Sequence, residues 1–277
     1  MIPQIIQRFF YGLISGISEC LPISARGHQM LYQKIFDFTP NDPWLTVSVL
    51  AGSLAAIIFS YRGDIKNLLH ENALHKQSRR RKNHPADQQA LCTIRIIKTT
   101  LIPILLSILL FGKAKEWISG LEALTLTLIL NSILLFIPRI VSNADKDSVS
   151  MSRLDSILMG LVGALGILPG VSRLGSVASV ATARGIKPSF AVDISFMISI
   201  IPLGAILILS LIGAFFSQAA VSGTLFIGNL LALLTSFGGG LFGIWILRWI
   251  ANRSHIYIFS YYSFGAALLA LALHMIV

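Results

Sequence analysis

The chain has 277 residues, 55 % of them hydrophobic and 12 % charged, with a mean hydropathy of +0.76. Soluble domains carry roughly 25 % charged residues, so this composition excludes a soluble enzyme and indicates an all-α polytopic membrane protein, one integral membrane domain over 1–277. The formal net charge of +10 does not indicate nucleic acid, because the cations cluster in a few loops, and two cysteines, Cys20 and Cys92, make neither a disulfide framework nor a metal-ligand spacing.

The first eighteen residues are apolar and no A-x-A-like cleavage site follows them, so they read as retained chain and not as a signal peptide. Residues 15–28, SGISECLPISARGH, then place Glu19, Ser24, Arg26 and His28 inside an apolar segment. A charged side chain at the bilayer centre costs at least about 2.5–3.5 kcal/mol, so these groups face a partner, a cavity or a ligand. Pro22 removes a backbone donor and Gly27 permits turns, which predicts a short helix, a break over 22–27 and a second short helix. Such a re-entrant hairpin survives at membrane depth only where protein or a polar cavity satisfies its backbone.

Residues 37–43 read as a loop and 44–60 as the first full span. The stretch 61–98 is the most polar in the chain, with nine Lys/Arg against three Asp/Glu and the run Arg79, Arg80, Arg81, Lys82. It reads as a cytoplasmic loop obeying the positive-inside rule rather than as an anionic-lipid or nucleic-acid patch. A short span over 99–111, a brief loop with Lys113, Lys115 and Glu116, and a span over 121–138 complete the first half.

The mixed-charge connector 145–155 divides two repeats, about 1–138 and 156–277. The second opens on ILPGVSRLGS, 167–176, where Pro169, Gly170 and Gly175 break apolar sequence around Ser172 and Arg173. A hairpin over 157–183 and spans over 189–214, 224–247 and 256–276 follow. Either broken stretch alone also fits a kinked spanning helix, since membrane helices tolerate Gly and Pro. Two of them in matching positions point to a midplane site between inverted repeats. Each half is then one re-entrant hairpin plus three spans. Parity turns the second half over, and sixteen of the twenty-two Lys/Arg residues fall on the cytoplasmic side. Gly12-x-x-x-Gly16 and Gly239-x-x-x-Gly243 read as helix contacts within the fold, with a homodimer as the other use. Asp193 is expected to pair with Arg184 or Lys187, and Asn131 and Asn229 to bond between helices.

Hairpins entering from opposite faces bring their tips together. Arg26 and Arg173 then offer two planar cations suited to bidentate phosphate binding, and free backbone N–H groups at the broken-helix ends add donors. Glu19 can hold a divalent cation or accept a proton, and His28 suits acid–base chemistry. Ser24 and Ser172 supply hydroxyls. A Glu19–Arg173 ion pair that only ties the halves together is the structural alternative.

The first stretch, Glu19 to His28 as ECLPISARGH, resembles the E-F-L-P-x-S-S-T-G-H signature of the undecaprenyl-pyrophosphate phosphatases, the bacitracin-resistance family. PGVSRLG, 169–175, resembles that family's P-G-x-S-R-S-G, and the likeness covers essentially the whole chain. The resemblance implies a multi-pass hydrolase of the bacterial cytoplasmic (inner) membrane that releases phosphate from a C55 polyprenyl pyrophosphate and recycles the carrier for peptidoglycan synthesis. It implies a divalent cation, Mg or Ca, with Glu19 as its ligand, and a site open to the outer side. Glu19, His28, Ser24 and Ser172 are the implied catalytic residues; Arg173, Arg26, Gly27 and Gly175 the phosphate-binding ones. Four positions depart from the pattern: Ser15 replaces an acid or amide, Ala25 a serine, Arg26 a threonine and Leu174 a serine. Alanine cannot attack phosphorus, so the nucleophile is Ser24, Ser172 or a water activated by His28 or Glu19. The alternative is a non-hydrolytic polyprenyl-phosphate binder or flippase on the same scaffold.

Overall fold

A computed structural model describes residues 4–40, 42–78, 87–111, 120–140, 144–217 and 223–276. These form α1 (Gln4–Cys20), α2 (Ala25–Ile35), α3 (Pro43–Ser60), α4 (Arg62–Ser78), α5 (Gln88–Phe111), α6 (Leu121–Phe136), α7 (Arg153–Ala164), α8 (Arg173–Ala183), α9 (Pro188–Phe216), α10 (Gly223–Ala251) and α11 (Ile258–Ile276). Six helices, α3, α5, α6 and α9 to α11, are long and apolar enough to cross a membrane, so the protein is all-α and multi-pass. The expected loop with Lys113, Lys115 and Glu116 and the run Arg79 to Lys82 lie outside the described residues.

The polar stretch 61–98 is not the loop its charge suggests. Residues 62–78 form α4, and α5 begins at Gln88, eleven positions before the expected span start at Thr99. Charge reports which side of a membrane a segment occupies, whereas helix formation follows backbone propensity, and 64–78 contain neither Gly nor Pro.

α1 and α2 fold back on each other as an antiparallel pair: Gln29 Nε2 donates to Ser15 Oγ (3.0 Å), Gln33 Nε2 to Tyr11 Oη (3.2 Å), and Tyr32 Oη to the Gln7 carbonyl (2.9 Å). α7 and α8 form a second pair, closed at its base by the Arg184–Asp155 ion pair (2.6 Å), with Asp155 also completing a capping box with Ser152. α1 packs along α10, α7 along α5, α3 against α9 and α10, and α6 against α11.

The two small-residue motifs interlock with each other. A Cβ on Gly12 would fall on Ala232 and Thr235, one on Gly16 on the Ser236 carbonyl, one on Gly239 on the Leu13 carbonyl, and one on Gly243 on Ile17 and Cys20. Both motifs are thus consumed within the fold. Gly16→Ala is accordingly expected to cost about 1–3 kcal/mol by overpacking, read as a lowered thermal midpoint in detergent. Gly63→Ala, with open space around it, should show no loss. Equal midpoints for Gly16→Ala and wild type would overturn the interlock.

Buried polar groups tie the remaining spans. Asp42 caps α3 by accepting from Trp44 N (2.9 Å) and also accepts from Arg8 Nη1 (2.9 Å) and Asn229 Nδ2 (2.6 Å), joining α1, α3 and α10. Asn229 thus bonds between helices as expected. Asp193 does not take the expected partners: it accepts from Tyr61 Oη (2.7 Å) and Arg248 Nε (3.0 Å). Arg184 and Lys187 are near it only along the chain. Residue 193 lies in the second turn of α9, turned towards α3 and α10, while Arg184 turns back to Asp155.

Candidate active site

Each hairpin turns on a serine. Ser24 is the N-cap of α2, its hydroxyl accepting from Gly27 N (3.3 Å), and Ser172 is the N-cap of α8, accepting from Gly175 N (3.1 Å). Such caps are worth about 0.5–2 kcal/mol each, and here they close the break sooner than Gly27 or Gly175 would suggest. Arg26, Gly27 and His28 therefore sit in the first turn of α2, and Arg173 and Gly175 in the first turn of α8. Ser24 adopts φ 71°, a left-handed conformation uncommon outside glycine that costs on the order of 1–3 kcal/mol and needs the surroundings to hold it.

The tips meet. Gly170 N donates to Ser24 Oγ (3.0 Å), so one hydroxyl serves both hairpins. Asn131 of α6 reaches both as well: its Nδ2 donates to the Pro22 carbonyl (3.1 Å) and its Oδ1 accepts from Ser172 N (2.9 Å). Gly170 needs to be glycine, since its φ is +96° and a Cβ would strike Thr127. Gly27 and Gly175 do not face the cavity as the sequence reading assigned. They are the points of close approach, Gly27 against Gly170 and Gly175 against Pro22, and their N–H groups are spent on the serine caps.

Beside the joined tips lies a cavity of about 480 Å³. Glu19, Ser24, Arg26, Ser172 and Arg173 line it, as do Ala25 and Leu174. Glu19 interacts electrostatically with both arginines. None of the ion pairs within 4.0 Å among the described residues joins it to either. The structural alternative, a Glu19–Arg173 tie, is not formed. One carboxylate and two guanidinium groups thus face the same space without a direct ion pair between them, an arrangement costly to bury and suited to a bound anion.

His28 is elsewhere. Its Nε2 contacts Tyr262 Oη (2.8 Å), its Nδ1 the Ser24 carbonyl (2.9 Å), and it lines a separate apolar groove with Leu31, Tyr262 and Leu269. Two residues along an α-helix differ by about 200°, so Arg26 and His28 cannot point into one cavity from α2. The sequence reading also missed Tyr11, Ser18, Gln29 and Gln33, all on the cavity wall. Helical spacing was the available signal: 26, 29 and 33 form one polar face of α2, and 11, 15, 18 and 19 one of α1.

A second cavity of about 380 Å³ shares Arg26, Gly166, Arg173, Ile206 and Ser210 with the first and is otherwise walled by Ile108, Ile167 and Leu209.

Known proteins resemble this chain over nearly its whole length. Undecaprenyl-diphosphatase of Korarchaeum cryptofilum is 29 % identical over 271 residues, covering 97 % of this chain and 99 % of the relative. Undecaprenyl-diphosphatase of Methanobrevibacter smithii is 28 % identical over 94 % of both chains. Undecaprenyl-diphosphatase 2 of Halalkalibacterium halodurans is 27 % identical over 96 % of this chain and 94 % of its own. The sequence pattern described as bacitracin resistance protein BacA matches residues 8–269, and the chain belongs to that family.

Proposed function

We propose that the chain is an undecaprenyl-diphosphatase, a membrane hydrolase that converts undecaprenyl pyrophosphate to undecaprenyl phosphate and inorganic phosphate. The observation that carries this reading is the cavity at the hairpin tips, where Arg26, Arg173 and Glu19 face one space with no direct ion pair among them. The guanidinium forks grip the pyrophosphate oxygens and offset charge as it moves onto the leaving phosphate. The adjoining chamber, with Ile108, Ile206 and Leu209, fits the first isoprene units. Lining residues Pro40 and Thr46 lie toward the N-terminal end of α3, opposite the Lys/Arg-rich stretch. That supports an opening on the outer side of the cytoplasmic membrane and the inverted arrangement of two repeats. A homodimer gains nothing from the glycine motifs, which are used internally.

Glu19 is the general base. It takes a proton from water, the water oxygen bonds to the terminal phosphorus, and the bridging P–O bond breaks with its electron pair leaving on undecaprenyl phosphate. Water is favoured over serine for a physical reason. Ser24 Oγ accepts from Gly27 N and Gly170 N, and an attack by it would leave two buried N–H groups unsatisfied, at about 1–3 kcal/mol each. Ser172 is held likewise by Gly175 N. The non-hydrolytic reading has no observation in its favour, and the relatives named above are diphosphatases.

The test is phosphate release from undecaprenyl pyrophosphate by purified protein. Ala25→Ser is expected to change the rate by less than about threefold, because a hydroxyl there would not supply the attacking oxygen. His28→Ala is expected to fall short of the roughly 10²–10⁴-fold loss of a proton-transferring residue. A loss of that size would return His28 to the chemistry, and no release by wild type would sink the hydrolase.

A further inference from the structure

A divalent cation is the family's expected partner for such a phosphate site, yet the donor set around this cavity does not fit one. Among the described residues, Glu19 is the single carboxylate on its walls, and no three His, Cys, Asp or Glu side chains come together. Ca²⁺ takes six to eight oxygens, and Mg²⁺ uses one or two carboxylates together with waters and substrate phosphates. Glu19 can give one or two oxygens, short of a Ca²⁺ shell, and two guanidinium groups on the same walls oppose any dication it would hold. Ser15, where the resembled signature carries an acid or amide, is buried, and its hydroxyl is occupied by Gln29 Nε2 (3.0 Å). His28 faces the separate groove with Tyr262.

What the cavity has in excess is fixed positive charge. Arg26 and Arg173 share its walls, and both remain charged at any working pH. Each repels a dication twice as strongly as it repels a single charge at the same distance. Arg26 is also the position where the resembled signature has a neutral hydroxyl. Ser15 and Arg26 together raise the charge of the site by two units where the signature has an acid at position 15, the charge of one divalent ion, and by one unit where it has an amide. A guanidinium supplies that charge with directed hydrogen bonds to phosphate oxygens.

We propose that Arg26 takes the place of the divalent cation, so that this chain binds and cleaves its lipid pyrophosphate without a metal ion. The proposal rests on the phosphatase reading but can fail separately from it. Phosphate release from undecaprenyl pyrophosphate is measured in EDTA and in millimolar Mg²⁺ or Ca²⁺, alongside equilibrium binding of the same lipid under each condition. The expected result is release and binding within about twofold across conditions. Arg26→Thr is expected to lose at least tenfold in EDTA at an unchanged thermal midpoint, with Arg26→Lys recovering part of it. Release abolished by EDTA and restored by Mg²⁺ would overturn the proposal and leave the phosphatase standing. Should wild type release no phosphate under any condition, the phosphatase reading falls and binding decides this one: equal binding in EDTA supports it, binding only with the cation overturns it.

Discussion

Glu19→Gln is expected to lower phosphate release from undecaprenyl pyrophosphate by about 10²–10⁴-fold, the usual contribution of a positioned proton-transferring side chain. Glutamine keeps the shape of glutamate and can donate to the phosphate, but it cannot take a proton from water. The described residues offer no substitute in the cavity, since Glu19 is the single carboxylate among them there and His28 is turned to the groove with Tyr262. Binding should survive or tighten, because the change removes a negative charge from a site built for an anion. The measurement is single-turnover phosphate release beside lipid binding for the same variant. A variant that binds lipid and still hydrolyses it at near the wild-type rate would show that the proton leaves by another route, with Ser24 or Ser172 next to be tested.

Arg173→Lys is the second large effect. Arg173 opens α8 at the hairpin tip, with its position fixed by the Ser172 cap and by Asn131 behind it. A lysine preserves the charge but not the planar fork, so two parallel hydrogen bonds to phosphate become one movable one. Loss of a hydrogen bond to a charged group is worth about 1.5–3 kcal/mol, which predicts lipid binding weakened roughly ten- to 150-fold. Rates should fall at least as far, because the same contact strengthens as charge builds on the departing phosphate. Lys at full activity would reduce the role of Arg173 to charge alone. Unlike Glu19→Gln, this variant should fail in binding as well as in turnover, which separates the two roles.

Much of this protein was legible in its sequence. Hydropathy runs reported the six spans because the bilayer imposes one rule on every residue within it, and four charged or hydroxylic residues in an apolar stretch marked the site for the same reason. Glu19, Ser24, Arg26, Ser172 and Arg173 could be picked out without coordinates, and the structure brings all five to one cavity. The glycine spacings foretold close helix contact, and Asn131 and Asn229 foretold bonds between helices. Local chemistry carried these readings.

Direction and partnership were decided only by the tertiary structure. His28 sits two residues from Arg26 and looks like a member of the same motif, yet helical geometry turns it about 200° away, onto Tyr262 of α11, 234 positions along the chain. Gly27 and Gly175 read as phosphate contacts but serve to let the two tips touch. Asp193 took Tyr61 and Arg248 in place of its sequence neighbours, and Arg8 found Asp42 and Asn229. A sequence lists which charges a membrane protein must satisfy, because burial is costly wherever it happens. Which group satisfies which depends on the faces that helices distant in sequence present to each other, and only their packing fixes that.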